Sequence, residues 1–411
     1  YQRWDSDGGK VNFISNLGRA LKTQYISWSD TFIPGTALNG MSTFRVFNEV
    51  AVPEDCGSIS KIVLTSKVQS EGTVMLSICT IETNSMYLQE TQITDSTGKT
   101  QFFSTSDKVI STINTLKGSF GTTNPESVVE YKGYVFFYSS ITGKWIQYSV
   151  NGLFPISSYK MTRFWNQFSL LYNSLTEEEI ENLGGRPFIF STVDPNHNEL
   201  LISIPRLLTD PPNGYLPDYP DKMYPFDIYD GQGKTIVYKL DTGTGRPKWM
   251  GSFSFNPEYF ITLQNKLYSF RYGHLYLHNQ SNYNEFYGIQ YSSKIMIVSN
   301  ALLNNPKVYE SVGVESNLVP SFVYMYNDYP YQQASDLVDL DFTDLEGIFY
   351  CTIKRNKLIP TVDGYTTDGL LTGEKMRNTS MFMMFEWRIS TIPLELKFLN
   401  IGFQAGKGQP V

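Results

Sequence analysis

Histidine is scarce, cysteine nearly absent, and no part of the 411-residue chain is strongly basic. The three cysteines, Cys56, Cys79 and Cys351, are far apart and odd in number. They argue against a disulfide framework and read as small buried hydrophobes in a chain made in a reducing cytoplasm. Thirty-three Lys and Arg against 40 Asp and Glu leave a formal charge of −7 spread along the chain. Without a basic stripe to neutralise a run of phosphates, tight binding of nucleic acid is not expected. No apolar run approaches the roughly 18 residues that span a bilayer, and the opening "YQRWDSDGGK" is not a signal peptide. It also lacks an initiator Met, so the chain is expected to be a piece of something larger.

Catalytic signatures are missing too. The sequence has no Gly-x-Ser-x-Gly, no His-Glu-x-x-His and no conspicuous acid pair at a strand end. A scan of this kind sees only groups close in the chain. The expectation is a protein that is not an enzyme, with no catalytic, cofactor-binding or metal-binding residues and no cofactor.

What the chain does have is aromatic residues, 28 Tyr and 27 Phe, with single Gly and Pro residues scattered as punctuation. Such enrichment predicts many short strands. Apolar bursts after turn residues mark them: "GTVMLSICTIE" from Gly72, "GYVFFYS" from Gly133, "NELLISIPR" from Asn198, "NKLYSF" from Asn265 and "GIFYCTIKRN" from Gly347. From Val74 to Val135, Leu200 and Leu267 the bursts recur at intervals of about 60 to 67 residues, wider than familiar propeller blades. Paired strands such as "KTIVYKLDTGTGRPKWMGSFSF" from Lys234 fill the intervals. The predicted fold is all-β, a β-propeller-like ring of antiparallel four-stranded blades forming one domain over 1–411. A set of β-sandwiches is the alternative. Propeller closure predicts that strands around Phe382 to Phe403 pair with the N-terminal portion.

One short helix is predicted, in "NSLTEEEIENLGG", with Thr176 as N-cap, Glu179 completing a capping box and Gly184 as the stop. Two long Tyr- and Pro-rich segments, near 205–233 and 324–345, read as loop arms that touch neighbouring subunits.

Several motifs have ordinary readings. His274 and His278 lie four apart in a strand pattern, about 13 Å from each other, which is too far to share a metal. "DPNHNE", from Asp194 to Glu199, alternates oxygen ligands but reads as an Asx-type hairpin turn. In "LDTGTGRPKWM", Gly243 and Gly245 read as turn formers and Trp249 as packing between sheets. "STGKT" from Ser96 and "GQGKT" from Gly231 lack the upstream Gly of a phosphate loop. Asn279 and Asn378 begin Asn-x-Ser sequons.

One stretch stands apart, "GSFGTTNPESVVEYKGYVFFYSSITGKWIQYSVNGLFPISSYKM", 118–161. With its Asn-Pro-Glu-Ser-Val entry, Gly-turned hairpin and Pro-Ile-Ser close, it resembles a segment recurring in phage tail proteins. "MLSICTIETNSMYL" from Met75, "KVYESVGVESNLVP" from Lys307 and "EGIFYCTIKRN" from Glu346 are similar to the same proteins. The family resembled is the muzzle, or nozzle-type, tail proteins of crAss-like phages, and more distantly the β-propeller nozzle and tail-stabilisation proteins of short-tailed phages. The likeness runs from about Gly57 onward. It implies a virion component, made in the bacterial host cytoplasm, whose copies form an oligomeric ring, with a hexamer as one order, around the channel for DNA ejection. Its implied partners are its own copies, neighbouring tail and portal-adaptor ring proteins, fibres and cargo proteins, with DNA only passing through and no membrane span. The alternative function is a propeller module that recognises a host receptor or glycan, with a propeller enzyme as the weaker third. Phe136, Phe137, Tyr138 and Trp145 are then expected to fill space between sheets, so that the hairpin serves shape.

Overall fold

The computed structural model describes residues 21–30, 40–45, 48–65, 74–88, 90–94, 100–104, 109–207, 233–240, 247–253, 255–280, 283–302, 305–328, 331–357, 373–388 and 392–405. The chain divides into two compact units, Tyr1–Leu277 and His278–Val411.

In the first unit, β1 (Tyr25–Ser27) pairs with β2 (Glu49–Ala51). Next come β3 (Ile59–Leu64), β4 (Val74–Cys79) and β5 (Thr83–Leu88), then a separate hairpin of β6 (Glu90–Thr94) and β7 (Thr100–Ser104). β8 (Ile110–Thr115) returns to β5 and completes a four-stranded sheet in the order β3-β4-β5-β8. The second four-stranded sheet is β9 (Val129–Tyr131), β10 (Tyr134–Ser139), β11 (Lys144–Ser149) and β12 (Gly152–Pro155). Helices α1 (Thr162–Ser174) and α2 (Glu177–Asn182) follow. The third sheet is β13 (Phe190–Asp194), β14 (Glu199–Ile204), β15 (Lys234–Lys239) and β16 (Lys248–Phe253). The last has three strands, β17 (Tyr259–Leu263), β18 (Lys266–Arg271) and β19 (His274–Leu277).

All pairings are antiparallel, and the four regularly spaced bursts supply the second strand of each successive sheet: β4, β10, β14 and β18. The first three read as continuous apolar runs because both their faces are covered, whereas β18 alternates buried and exposed residues. On β10, Val135 and Phe137 point into a core shared with Val74, Leu76 and Ile78 of the first sheet. Phe136 and Tyr138 point the other way, into a core with Leu200, Ile202 and Ile236 of the third. The third sheet continues the series through Phe190, whose ring lies 5.6 Å from that of Phe260 on β17, and through a Thr192–Thr262 hydroxyl bond of 2.8 Å.

The expected capping box is present. Thr176 Oγ1 accepts from the Glu179 amide at 3.3 Å, Glu179 Oε2 accepts from the Thr176 amide at 2.8 Å, and Gly184 ends the helix at φ +80°. The expectation of a single short helix fails, however. α1, "TRFWNQFSLLYNS", is 13 residues long and buries Phe164, Trp165, Phe168 and Tyr172. Its aromatics suit a strand by type, but they fall at helical spacing on one side, and burial against β10 and β11 outweighs their weak propensity.

In the second unit, β20 (Glu285–Phe286) and β21 (Ile289–Gln290) form a small ribbon. β22 (Ser293–Ser299), β23 (Lys307–Ser316), β24 (Phe322–Tyr326), β25 (Ala334–Val338), β26 (Thr343–Leu345), β27 (Ile348–Thr352), β28 (Arg377–Asn378), β29 (Met381–Trp387) and β30 (Leu396–Ala405) build two larger sheets. One runs β22-β29-β24-β25, and the other β26-β27-β23-β28 with β30 paired to the opposite edge of β23. Val323, Met325, Met383 and Phe385 from the first face Val312, Val314 and Cys351 from the second across a shared core.

Two expectations are corrected here. The segment 324–345 is not a loop arm: β24 and β25 pair in register from Phe322↔Val338 to Tyr326↔Ala334, and a 3-10 turn, Asp339–Asp341, leads into β26. Full burial of Val323 and Met325 on β24 and Leu337 on β25 outweighs the Pro and Asp in the sequence between them. The closure pairing fails as well. Strand β29, which holds Phe382, lies between β22 and β24, and β30, which holds Phe403, pairs with β23, so both stay within the second unit. Of the other arm, residues 208–232 lie outside the described residues.

Candidate functional site

The β10–β11 hairpin carries the residues singled out from the sequence, and all four are buried: Phe136, Phe137, Tyr138 and Trp145. Tyr138, Trp145 and Trp165 of α1 form an aromatic triangle with ring centroids 5.8 to 6.1 Å apart. Burial pushes the Tyr138 hydroxyl up to about 12, so it is neutral at any physiological pH. Among the described residues the buried Trp145 and Trp165 Nε1 groups have no hydrogen-bond partner. Gly143 turns the hairpin at φ +63°, and a Cβ there would sit 2.5 Å from Ser169 of α1. Only glycine satisfies both the turn and the close approach of the helix.

Trp249, on β16, packs as expected. Its ring is 4.8 Å from Tyr238 and 6.0 Å from Trp165, and its Nε1 donates to the Ile156 carbonyl at 3.3 Å. Gly243, Gly245, Gly231 and residues 96–99 lie outside the described residues. Asp194 to Glu199 is an Asx turn between β13 and β14, with Asp194 Oδ1 accepting from the Asn196 amide at 2.9 Å. The oxygens that looked like ligands are otherwise engaged. Asp194 Oδ2 pairs with His197 Nδ1 at 2.8 Å, and Glu199 pairs with Lys239 at 3.1 Å. His274 is exposed on β19, while His278 lies beyond the strand with its ring 6.2 Å from Phe286. Among the described residues no three His, Cys, Asp or Glu side chains gather in a way that could hold a metal. Asn378 is buried, donating to the Asp328 carbonyl at 2.9 Å, so its sequon is closed to modification, whereas Asn279 is exposed. All three cysteines are free and buried.

Two surface features were not foreseen. The first is the outer face of β17–β19, where register places Tyr259, Phe270 and Leu275 in one cross-strand row and Ile261, Tyr268 and Leu277 in the next. Leu275 is 57% and Leu263 53% exposed, and Phe270 and Leu277 are also on the surface. In each preceding four-stranded sheet the second strand is buried along both faces.

The second is an open cleft of about 420 Å³ on the second unit, over β23, β26 and β27. Period-two alternation turns Val312 and Cys351 to the core and leaves Ser311, Tyr350, Thr352 and Lys354 outside. Thr343 and Leu345 of β26 form one side. Lys354 Nζ donates to Asp341 Oδ2, and the Val338 amide donates to the same oxygen at 2.8 Å. Burial acts to raise the Asp341 pKa, but the Lys354 and Val338 bonds outweigh it and hold it below the ordinary value. Burial pushes the Cys351 thiol up to about 11, leaving it protonated and unreactive at neutral pH. The signal for this cleft was the alternation in "YCTIK", which a strand assignment alone did not exploit. No helix among the described residues is long and apolar enough to cross a membrane. No protein-family model matches the chain, and no curated protein matches it.

Proposed function

We propose that the chain is a structural protein of a phage tail, of the muzzle or nozzle type, whose copies form a ring around the channel for DNA and ejected proteins. In this reading the successive meander sheets of the first unit are blades of a propeller-like body. The neighbours are other copies of the chain and the adjoining tail rings, and its place is the virion.

The observation that carries the reading is the serial stacking of the β3–β8, β9–β12 and β13–β16 sheets through shared aromatic and aliphatic cores. Such a stack resists deformation without any reactive group, because close-packed interiors have low compressibility. The exposed apolar face of β17–β19 stands where a further sheet would continue the stack, and a second copy of the chain is its fitting occupant. The resemblance of 118–161 to phage tail segments supplies the biological setting.

Mass spectrometry and cryo-EM of purified virions whose genome encodes the chain test the proposal. The expected result is a stoichiometric virion protein forming a ring at the distal tail. Its absence from complete, infectious particles would overturn the reading.

A further inference from the structure

We propose that the cleft over β23, β26 and β27 binds a neutral saccharide. The proposal does not depend on the tail reading, since it rests on the face of one sheet within the second unit.

The register lays out the floor. Asn400, Gly313, Tyr350 and Thr343 stand side by side across β30, β23, β27 and β26, with Gly402, Ser311 and Thr352 in the next row. The two glycines add no side chain of their own, which lets the Tyr350 ring and the Ser311 hydroxyl lie across them. A Cβ on Gly313 would lie 2.9 Å from the Tyr350 ring and one on Gly402 2.2 Å from Ser311 Oγ, so neighbouring side chains lean over both. The result is a shallow platform with one aromatic ring, neutral hydroxyls on either side, and the exposed Leu345 at one margin.

Three features select the ligand class. A pyranose presents apolar C–H groups on one face and hydroxyls around its rim. The Tyr350 ring, with its negative face, suits the first, and the Ser311, Thr343 and Thr352 hydroxyls, each both donor and acceptor, suit the second. Charge supplies the third. Lys354 and Asp341 are bonded to each other at the cleft, so among the described lining residues no cation is uncommitted for phosphate or carboxylate, and the Asp341 carboxylate repels an anion. The pair still has lone pairs and N–H groups to spare for sugar hydroxyls. The volume lies within the range of small-molecule sites, roughly 300–1,000 Å³, and suits a few sugar units lying across the sheet. Cys351 borders the cleft but packs into the core at 7% exposure, and burial pushes its thiol up to about 11, so it offers no thiolate to a ligand.

The test is titration calorimetry and saturation-transfer NMR on the full chain. The probes are maltotriose, cellotriose, mannotriose and N-acetylchitotriose, with 3′-sialyllactose and inorganic phosphate as anions. At least one neutral trisaccharide should bind with a millimolar or tighter constant. Tyr350→Ala should weaken it about tenfold or more, equivalent to about 1.4 kcal/mol. Thr343→Arg, on the exposed edge strand, should do so by a similar factor with an unchanged melting profile, which keeps the test valid if Tyr350→Ala folds poorly. No binding of any of the four at about 10 mM, a weaker affinity than a millimolar site implies, would overturn the proposal. So would binding that survives Thr343→Arg, or phosphate or sialyllactose occupying the cleft more tightly than every neutral probe.

Discussion

The two units are built by different logics. In the first, each strand of the β9–β12 and β13–β16 sheets pairs with its neighbour in sequence, and sheets succeed one another along the chain. In the second, β29 inserts between β22 and β24, and β30 returns to β23, so Ser293 meets Trp387 and Ser316 meets Leu396. Local pairing closes short loops, whereas the second arrangement closes long ones, at an entropic cost that grows slowly with loop length. A serial stack can repeat and extend; an interleaved sandwich closes on itself and presents finished faces. The first unit thus suits scaffolding and the second suits displaying a surface.

The largest expected effect lies in the core of the stack. Trp145→Ala should destabilise the first unit by about 3–5 kcal/mol, the usual cost of removing a large buried aromatic, as read from denaturant midpoints. Trp145→Phe should cost far less, because the indole N–H it removes has no partner among the described residues to lose. A Phe variant as damaged as the Ala variant would mean that this N–H is bonded, and would weaken the view of the region as packing alone.

The second unit depends on a buried polar clip instead. The Lys307 side chain is fully buried and donates to the carbonyls of Ala301, Leu302 and Thr379, tying loops together beside β23. Lys307→Met keeps the length but strands the carbonyls, and should cost about 1–3 kcal/mol. A neutral result would show that water replaces the ammonium there.

A smaller effect is expected at α2. Thr176→Ala should cost about 1 kcal/mol, seen as faster amide exchange in Glu179 to Leu183. The bonds from the Thr176 backbone and hydroxyl hold the Glu179 carboxyl below its ordinary value of 4.5. Its stabilising contribution is therefore complete above pH 4.5 and is lost as pH falls below that through the folded-state value. Exchange protection of α2 that stays flat on acidification well below pH 4 would contradict this.

The same contrast explains what could be read from the sequence. Val74, Val135 and Leu200 announced their strands because a strand covered on both faces is apolar throughout, and Leu267 announced β18 through alternation and partners adjacent in the chain. Helix α1 was not foreseen: Phe164, Trp165, Phe168 and Tyr172 are residue types that favour strands, although their spacing is helical. Phe382 and Phe403 were sent to the wrong partners because nothing near them in the chain names β22 or β23. The cleft was hidden for the same reason: Ser311, Thr343 and Tyr350 meet only once three strands are in register. Reading 324–345 as a loop also removed Asp341 and Thr343 from consideration as members of one sheet.

The most direct test of the central claim, that this chain is a scaffold which assembles through the face of β17–β19, is mass photometry of the purified protein beside a Phe270→Asp/Leu275→Asp variant. The account predicts that the native chain forms closed oligomers and that the variant, with charges on an exposed face and an unchanged fold by circular dichroism, stays monomeric. Native protein that remains monomeric at every concentration tried, or a variant that assembles equally well, would contradict it.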